Sequence, residues 1–199
     1  MIIDTKDVKN EELYKLLIGS VLPRPIAWVG TLDKKGIPNL APFSFFNIAS
    51  VNPPVVSISI LNKLDGVKKD TLINIQNTEV FSISIVSYDL VEKMAITGKD
   101  YELDVDEFKV AGVSCLPCKK IASVYVGESK VTFECRLHSI VDFGDVEKAG
   151  NLVLANVVAI HVHDNIIEWP NIDMLKLDAV ARASGPYYST IRDKFLINN

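Results

Sequence analysis

Ser44-Phe45-Phe46-Asn47 places a hydroxyl, two aromatic rings and a carboxamide within four residues. A flat heterocycle with a polar tail needs that mixture, because its ring must pack on apolar faces while each polar edge finds a partner. The same four residues also suit a sheet corner in which both Phe rings are core and Ser44 and Asn47 cap a turn. Cys115-x-x-Cys118 together with Cys135-x-x-His138 carries the ligand types of a structural zinc site. Against it, Val131, Phe133, Cys135 and Leu137 alternate with Thr132, Glu134, Arg136 and His138, so Cys135 and His138 point to opposite faces of a strand and reach one ion only through a bulge. Cys135 reads as a small buried hydrophobe and the other two as loop thiols, which lack the strand-to-helix setting that activates a thiol. His161 and His163 share a strand face with Asp164 and Glu168 following, but no third ligand is evident, and two imidazoles on the wet face of an antiparallel strand is the simpler reading. The chain has no G-x-S-x-G elbow, no P-loop and no G-x-G-x-x-G after a strand, so neither a serine hydrolase nor a Rossmann dehydrogenase is expected. No metal site and no catalytic side chain is assigned.

The elements that must position these residues begin with Leu22 to Asn47. Pro23 and Pro25 keep the entry extended, and Ile26 to Leu32 supplies β-branched and aromatic strand formers. Asp33-Lys34-Lys35-Gly36 is a turn with Gly36 free to take positive φ, and Pro38 and Pro42 confine the return leg to a sheet edge or a bulge. Upstream, Asn10 reads as the N-cap of a short helix with Glu11 and Glu12 in its first turn, Leu13, Leu16 and Leu17 on its apolar face, and Gly19 at its end. Downstream, Val56, Ile58 and Ile60 alternate with Ser57 and Ser59, as Phe81, Ile83 and Ile85 do with Ser82 and Ser84. Asp70 is expected to cap a helix through Leu72, Ile73, Ile75 and Gln76, and Asp89 to Thr97 to form another, ended by Gly98. Lys99 to Lys120 loses periodicity and reads as a long excursion serving as a lid, not as a linker between domains. Val131 to Val141 and Leu152 to Val162 return to strand character, and the tail Asn171 to Asn199 is mixed, with a turn at Gly185-Pro186-Tyr187-Tyr188.

Six to eight strands with two or three helices, without regular strand–helix alternation, predict a mainly β fold: an antiparallel barrel with peripheral helices. With 199 residues and no composition shift, one domain over 1–199 is expected, burying roughly 70% of its unfolded surface. Hydrophobic residues make up 48% of the chain, enough for a core, while a net charge of -4 does not suit nucleic acid. Asp4, Lys6, Asp7 and Lys9 stand where a signal peptide would be apolar, and no run is long enough to span a membrane, so a cytoplasmic protein is expected.

Arg24 to Thr31 (RPIAWVGT), Pro38 to Asn47 (PNLAPFSFFN), Lys69 to Thr71 (KDT), Phe133 to Leu137 (FECRL) and Ala-Arg-x-Ser-Gly-x-x-Tyr at Ala181 to Tyr188 together resemble the flavin reductase-like, FMN-binding split-barrel family that includes flavoredoxin. The match spans nearly the whole chain. The opening hairpin and KDT are its most specific parts, the middle around Cys115 and Cys118 matches no motif, and Ser184-Gly185 stands where such tails often read Gly-Gly.

The resemblance implies an antiparallel split β-barrel that binds FMN non-covalently in a groove shared by a homodimer. It implies electrons taken from NAD(P)H or from a redox partner protein. By the same resemblance Ser44, Asn47, Lys69 and Thr71 would serve the phosphate, helped by the helix start at Thr71, with Asp70 as N-cap or acceptor for flavin or ribityl donors. Thr31, Phe45 and Phe46 would lie along the ring, and Arg182 and Tyr187 would close the site from the C-terminal side. The activity implied is an NAD(P)H-dependent flavin reductase; the alternative is a flavoredoxin-like electron carrier or flavin-binding module without nicotinamide chemistry. In either case the hard chemistry belongs to the cofactor.

Overall fold

Seven strands carry the fold, each formed where β-branched or aromatic residues alternate with small or polar ones. In the computed structural model, which describes residues 1–102 and 105–197, they are β1 (Ala27–Leu32), β2 (Pro38–Phe43), β3 (Phe46–Val51), β4 (Pro54–Leu61), β5 (Val80–Ile85), β6 (Val131–Asp142) and β7 (Gly150–Val162). All pairings in this sheet are antiparallel, in the order β2-β1-β5-β6-β7-β4-β3. The two edge strands, β2 and β3, are consecutive in the chain with only Ser44 and Phe45 between them, so the sheet must curl until its edges lie side by side. Among the described residues no ladder joins those edges; the Phe45 carbonyl accepts the Ser59 N–H at 2.8 Å and so extends the β3–β4 ladder beyond the pair Phe46–Ile58. All seven strands feed one core, which includes Val29, Phe43, Phe46, Ile58, Phe81, Cys135 and Val153.

Among the described residues five α-helices flank the sheet: α1 (Asn10–Ser20), α2 (Asp70–Thr78), α3 (Val91–Ile96), α4 (Glu107–Ala111) and α5 (Met174–Leu177). Helix α2 plugs the core with Leu72 and Ile75. The expected N-caps shift by one residue. The Lys9 and Lys69 carbonyls accept the first intrahelical bonds, so Asn10 and Asp70 already lie inside their helices. Glu12 reaches back to the Lys9 N–H at 3.4 Å and fixes the first start. Helix α1 runs on through Gly19, and its buried residue is Ile18, while Leu16 and Leu17 are exposed.

The excursion expected as a lid is a packed layer. Residues 103–104 of it lie outside the described residues. Asp106 caps α4, Gly112 ends it at φ 63°, and Cys115–Pro117 pairs with Val124–Val126. Phe108, Ala111, Val113 and Val126 form a second apolar cluster with Trp28, Leu40 and Met94. This layer covers the outer sheet face, so Ser82, Ser84, Thr132 and Glu134, the polar members of the two alternations, are fully buried. Ser82 Oγ donates to the Val124 carbonyl at 2.6 Å, and the Val126 N–H donates to Ser84 Oγ at 3.4 Å. The alternation expected of β6 also breaks, because His138 is an extra residue between the pairs Leu137–Ala155 and Ser139–Leu154. The tail folds back as a small sheet of Arg24–Pro25, Val180–Arg182 and Tyr188–Thr190, with Gly185 at φ 58° in its turn. Among the described residues no helix is long and apolar enough to cross a membrane.

Candidate functional site

Where the sheet edges meet at Ser44 and Phe45, three depressions run into one another. The first, of about 370 Å³, is walled by Leu17 and Val21 of the α1 end, Pro23, Pro25, Phe45 and Phe46. Ser44 and Phe45 separate it from a second of about 190 Å³, which also touches Tyr14, Ser59 and Lys69. Tyr14 and Lys69 lead on to a third of about 260 Å³, where Lys63 and Lys148 join Lys69 and, among the described residues, the one lining carboxylate is Asp100. The groove is therefore apolar at one end and cationic at the other.

The two readings of Ser44 to Asn47 divide between the residues. Phe46 is 8% exposed and core, though its edge borders the apolar end. Asn47 is exposed within β3 and borders the apolar end, its Oδ1 accepting the Ile48 N–H at 2.8 Å. Ser44 and Phe45 face the groove, and Ser44 Oγ accepts from Arg24 Nε at 3.4 Å. Lys69 borders both polar depressions.

Five of the expected site residues are not groove walls. Thr31 has no exposed surface, and its hydroxyl accepts from Asn74 Nδ2 at 3.1 Å. Thr71 is buried as well, accepting from Asn39 Nδ2 at 3.0 Å. These two bonds anchor α2 to β1 and β2, so the hydroxyls serve packing. Asp70 pairs with Lys63 at 3.4 Å and opens on a separate cavity of about 350 Å³ beside Asp33, Asn39 and Glu107. Arg182 lies over the Tyr188 ring at 4.5 Å and donates to the Gly185 carbonyl at 2.6 Å, while Tyr187 projects into solvent. Both stay within the tail sheet, where Arg182 is the register partner of Arg24.

Arg24 itself is the residue that motif reading passed over. It is 6% exposed, and its Nη1 donates to the Ile18 and Val21 carbonyls at 2.7 and 2.6 Å. Its Nη2 donates to the Ala183 carbonyl at 3.0 Å, and its guanidinium lies 5.9 Å from the Phe45 ring centroid. Burial lowers its pKa, Tyr14 opposes that shift, and the Arg182 cation adds to it. The available signal was a lone cation between two prolines in an apolar entry, which if buried must be paired. Tyr14, Lys63 and Lys148 carried no such signal.

Among the described residues no three His, Cys, Asp or Glu side chains come together as a metal site. Burial pushes the Cys115 thiol up to about 11 and Cys118 to about 12, with Cys135 raised further, which disfavours the thiolate in all three. His161 is not a free imidazole on a wet face: it is bonded to buried Glu134 at 2.5 Å, and His163 lies beyond the end of β7.

The family described as Flavin reductase like domain matches residues 18–174. An uncharacterised protein of Aquifex aeolicus is 39% identical over 184 residues, 92% of this chain and 92% of that one. Nitrilotriacetate monooxygenase component B from Bacillus cereus superposes with a TM-score of 0.94 at 29% identity, over 99% of this chain and 98% of that one. For the 2-nitrobenzoate 2-nitroreductase of Pseudomonas fluorescens the values are 0.90 and 28%, over 100% and 96%. A match across most of the chain, on a fold whose opening hairpin builds the groove, places this chain in the flavin reductase-like family.

Proposed function

We propose that the chain is an FMN-binding oxidoreductase of the split-barrel type, working as an NAD(P)H-dependent flavin reductase, with FMN held in the groove at Ser44 and Phe45. The observation that carries this reading is the groove's gradient from apolar to cationic, which suits a flat ring joined to a phosphate. Leu17, Val21 and Phe45 pack on the ring and exclude water. Lys69, with Lys63 and Lys148 near it, supplies charge-assisted donors for the phosphate. Arg24 holds the Ser44 hydroxyl at the boundary between the two ends. When bound, FMN supplies the electron-accepting chemistry, so no acid or base pair is required of the protein. The likeness to a monooxygenase component and a nitroreductase, both redox proteins by name, supports the class of reaction. The reading includes one domain over 1–199, a cytoplasmic setting and two-fold pairing.

Flavin titration of the purified protein tests it. FMN is expected to bind in preference to FAD, whose terminal dianion is replaced by a bulky diester. Lys69→Ala is expected to weaken FMN by about 1.5–3 kcal/mol, the cost of losing a charge-assisted hydrogen bond. Thr71→Ala, in contrast, acts on the docking of α2 and leaves FMN affinity near the parent value. Failure to bind flavin, or FAD bound far more tightly than FMN, rules the reading out. Adding NADH or NADPH without air then bleaches the flavin spectrum of a reductase and leaves that of an electron carrier unchanged.

A further inference from the structure

Two loops close the cationic end of the groove, 62–69 between β4 and α2 and 143–149 between β6 and β7. They are zipped together along their length. The Asn62 N–H donates to the Ala149 carbonyl at 2.9 Å, and Asn62 Nδ2 donates to the Gly144 and Val146 carbonyls at 3.0 and 3.3 Å. Lys68 Nζ bonds Asp142 at 3.0 Å. Gly66 comes so close that a Cβ on it would stand 2.6 Å from the Asp145 carbonyl oxygen.

The buried carboxamide of Asn62 is itself oriented from within the sheet. Asn151 Nδ2 donates to Asn62 Oδ1 at 2.8 Å and to the Ile60 carbonyl at 3.1 Å. Asn151 has no exposed surface and continues the buried face of Val153 and Ala155, where packing alone would favour an apolar side chain. Asn62 thus accepts one bond and donates two at once, which a carboxamide can do and a carboxylate cannot. What this relay holds is the turn that carries Lys148, whose backbone sits in the left-handed region at φ 57°. Lys148 Nζ lies 5.9 Å from the centroid of the Tyr14 ring, and Tyr14 lines both polar depressions. The ammonium therefore stands at the cationic end. Its carboxylate partner is Glu147, at 2.9 Å and half exposed, an ion pair weak enough for a phosphate dianion to displace.

We propose, on the reading that FMN occupies the groove, that Asn62 is a positioning residue for its phosphate end: by holding the 143–149 turn it sets Lys148 against the phosphate, and so decides the preference for FMN over riboflavin. Titrating the full chain with FMN and with riboflavin, which differ only in the phosphate, separates this role from a general one in folding. The parent should bind FMN more tightly. Asn62→Ala should weaken FMN roughly tenfold, the scale of one lost charge-assisted contact, and change riboflavin by less than about twofold. Lys148→Gln should do the same, and the double variant should lose about as much as either alone, because one residue acts through the other. Circular dichroism of all three should match the parent. Equal losses for both flavins in Asn62→Ala, losses that multiply in the double variant, or unchanged FMN affinity in Lys148→Gln each overturn the proposal. If Asn62→Ala does not fold, Asn151→Ala, which removes the orienting bond and leaves Asn62 in place, carries the same test. A parent that binds riboflavin as tightly as FMN overturns the placement of the phosphate and this role with it, whereas an FMN preference that survives in the variants overturns the role of Asn62 alone.

Discussion

At the scale of residues, Arg24 shows how one buried cation can organise the groove that it lines. Its guanidinium ties the end of α1, the Ser44 turn and the tail at Ala183 together, and these are segments far apart in the chain. Arg24→Met keeps much of the stem but leaves the Ile18 and Val21 carbonyls without their donor. We expect it to lower the unfolding free energy by about 1–3 kcal/mol, the cost of buried acceptors left unpaired. Arg24→Lys should recover only part, since an ammonium cannot reproduce a planar fork. Urea unfolding with unchanged midpoints for both variants would show that the hub is dispensable. Residue type alone did not separate such structural roles from ligand contacts. Thr31 and Thr71 are hydroxyls of the right kind near the right motif, yet both face Asn side chains under or within α2. Lys69, one position before the helix, is the member of Lys69-Asp70-Thr71 that reaches the groove.

At the scale of elements, the readable parts of the sequence were those whose two faces meet different surroundings. The alternation of Val56, Ile58 and Ile60 with Ser57 and Ser59 in β4 is preserved as core against a more open face. The hairpin turn at Gly36 and the edge position of the proline-bearing β2 also follow directly from backbone chemistry. The covering of the Ser82 and Ser84 face was not legible, because it comes from residues 115–126, a non-local partner that no local pattern encodes. The bulge at His138 was equally silent, since an extra residue leaves the composition of a strand unchanged. Gly30 records the covering layer in the sequence, though only in retrospect. A Cβ there would collide with the Val124 carbonyl oxygen and come within 2.8 Å of Ser82 Oγ. Gly30→Ala is accordingly expected to destabilise the protein by about 1–3 kcal/mol, as overpacking does. The loss should be accompanied by faster proteolysis within 115–126, the segment that must lift. An alanine variant as stable as the parent would mean that the layer shifts freely and is no fixed part of the core.

At the scale of the whole molecule, the exposed apolar surface is what remains to be explained. Ile48 and Val51 stand out on the edge strand β3, Trp169 is 88% exposed at a hairpin tip, and Phe195, Leu196 and Ile197 lie bare on the tail. Edge strands and large apolar side chains left in water favour association. The groove, open along the seam beside β3, is the region that such pairing would complete. The resemblance drawn from the sequence points the same way, toward a homodimer with a site shared between its subunits. Two-fold pairing would create two equivalent sites and bring the Phe45–Phe46 region of one protomer beside the tail of its partner. A ligand held across an interface stabilises the assembled state by mass action, so dissociation and loss of FMN must be linked. Diluting the FMN-loaded protein is therefore expected to release flavin and lower the sedimentation coefficient over the same concentration range, and excess FMN should move that range to lower protein concentration. A monomer that keeps its FMN at every concentration would require the site to be built from one chain, with Lys69, Ser44 and Phe45 sufficient by themselves.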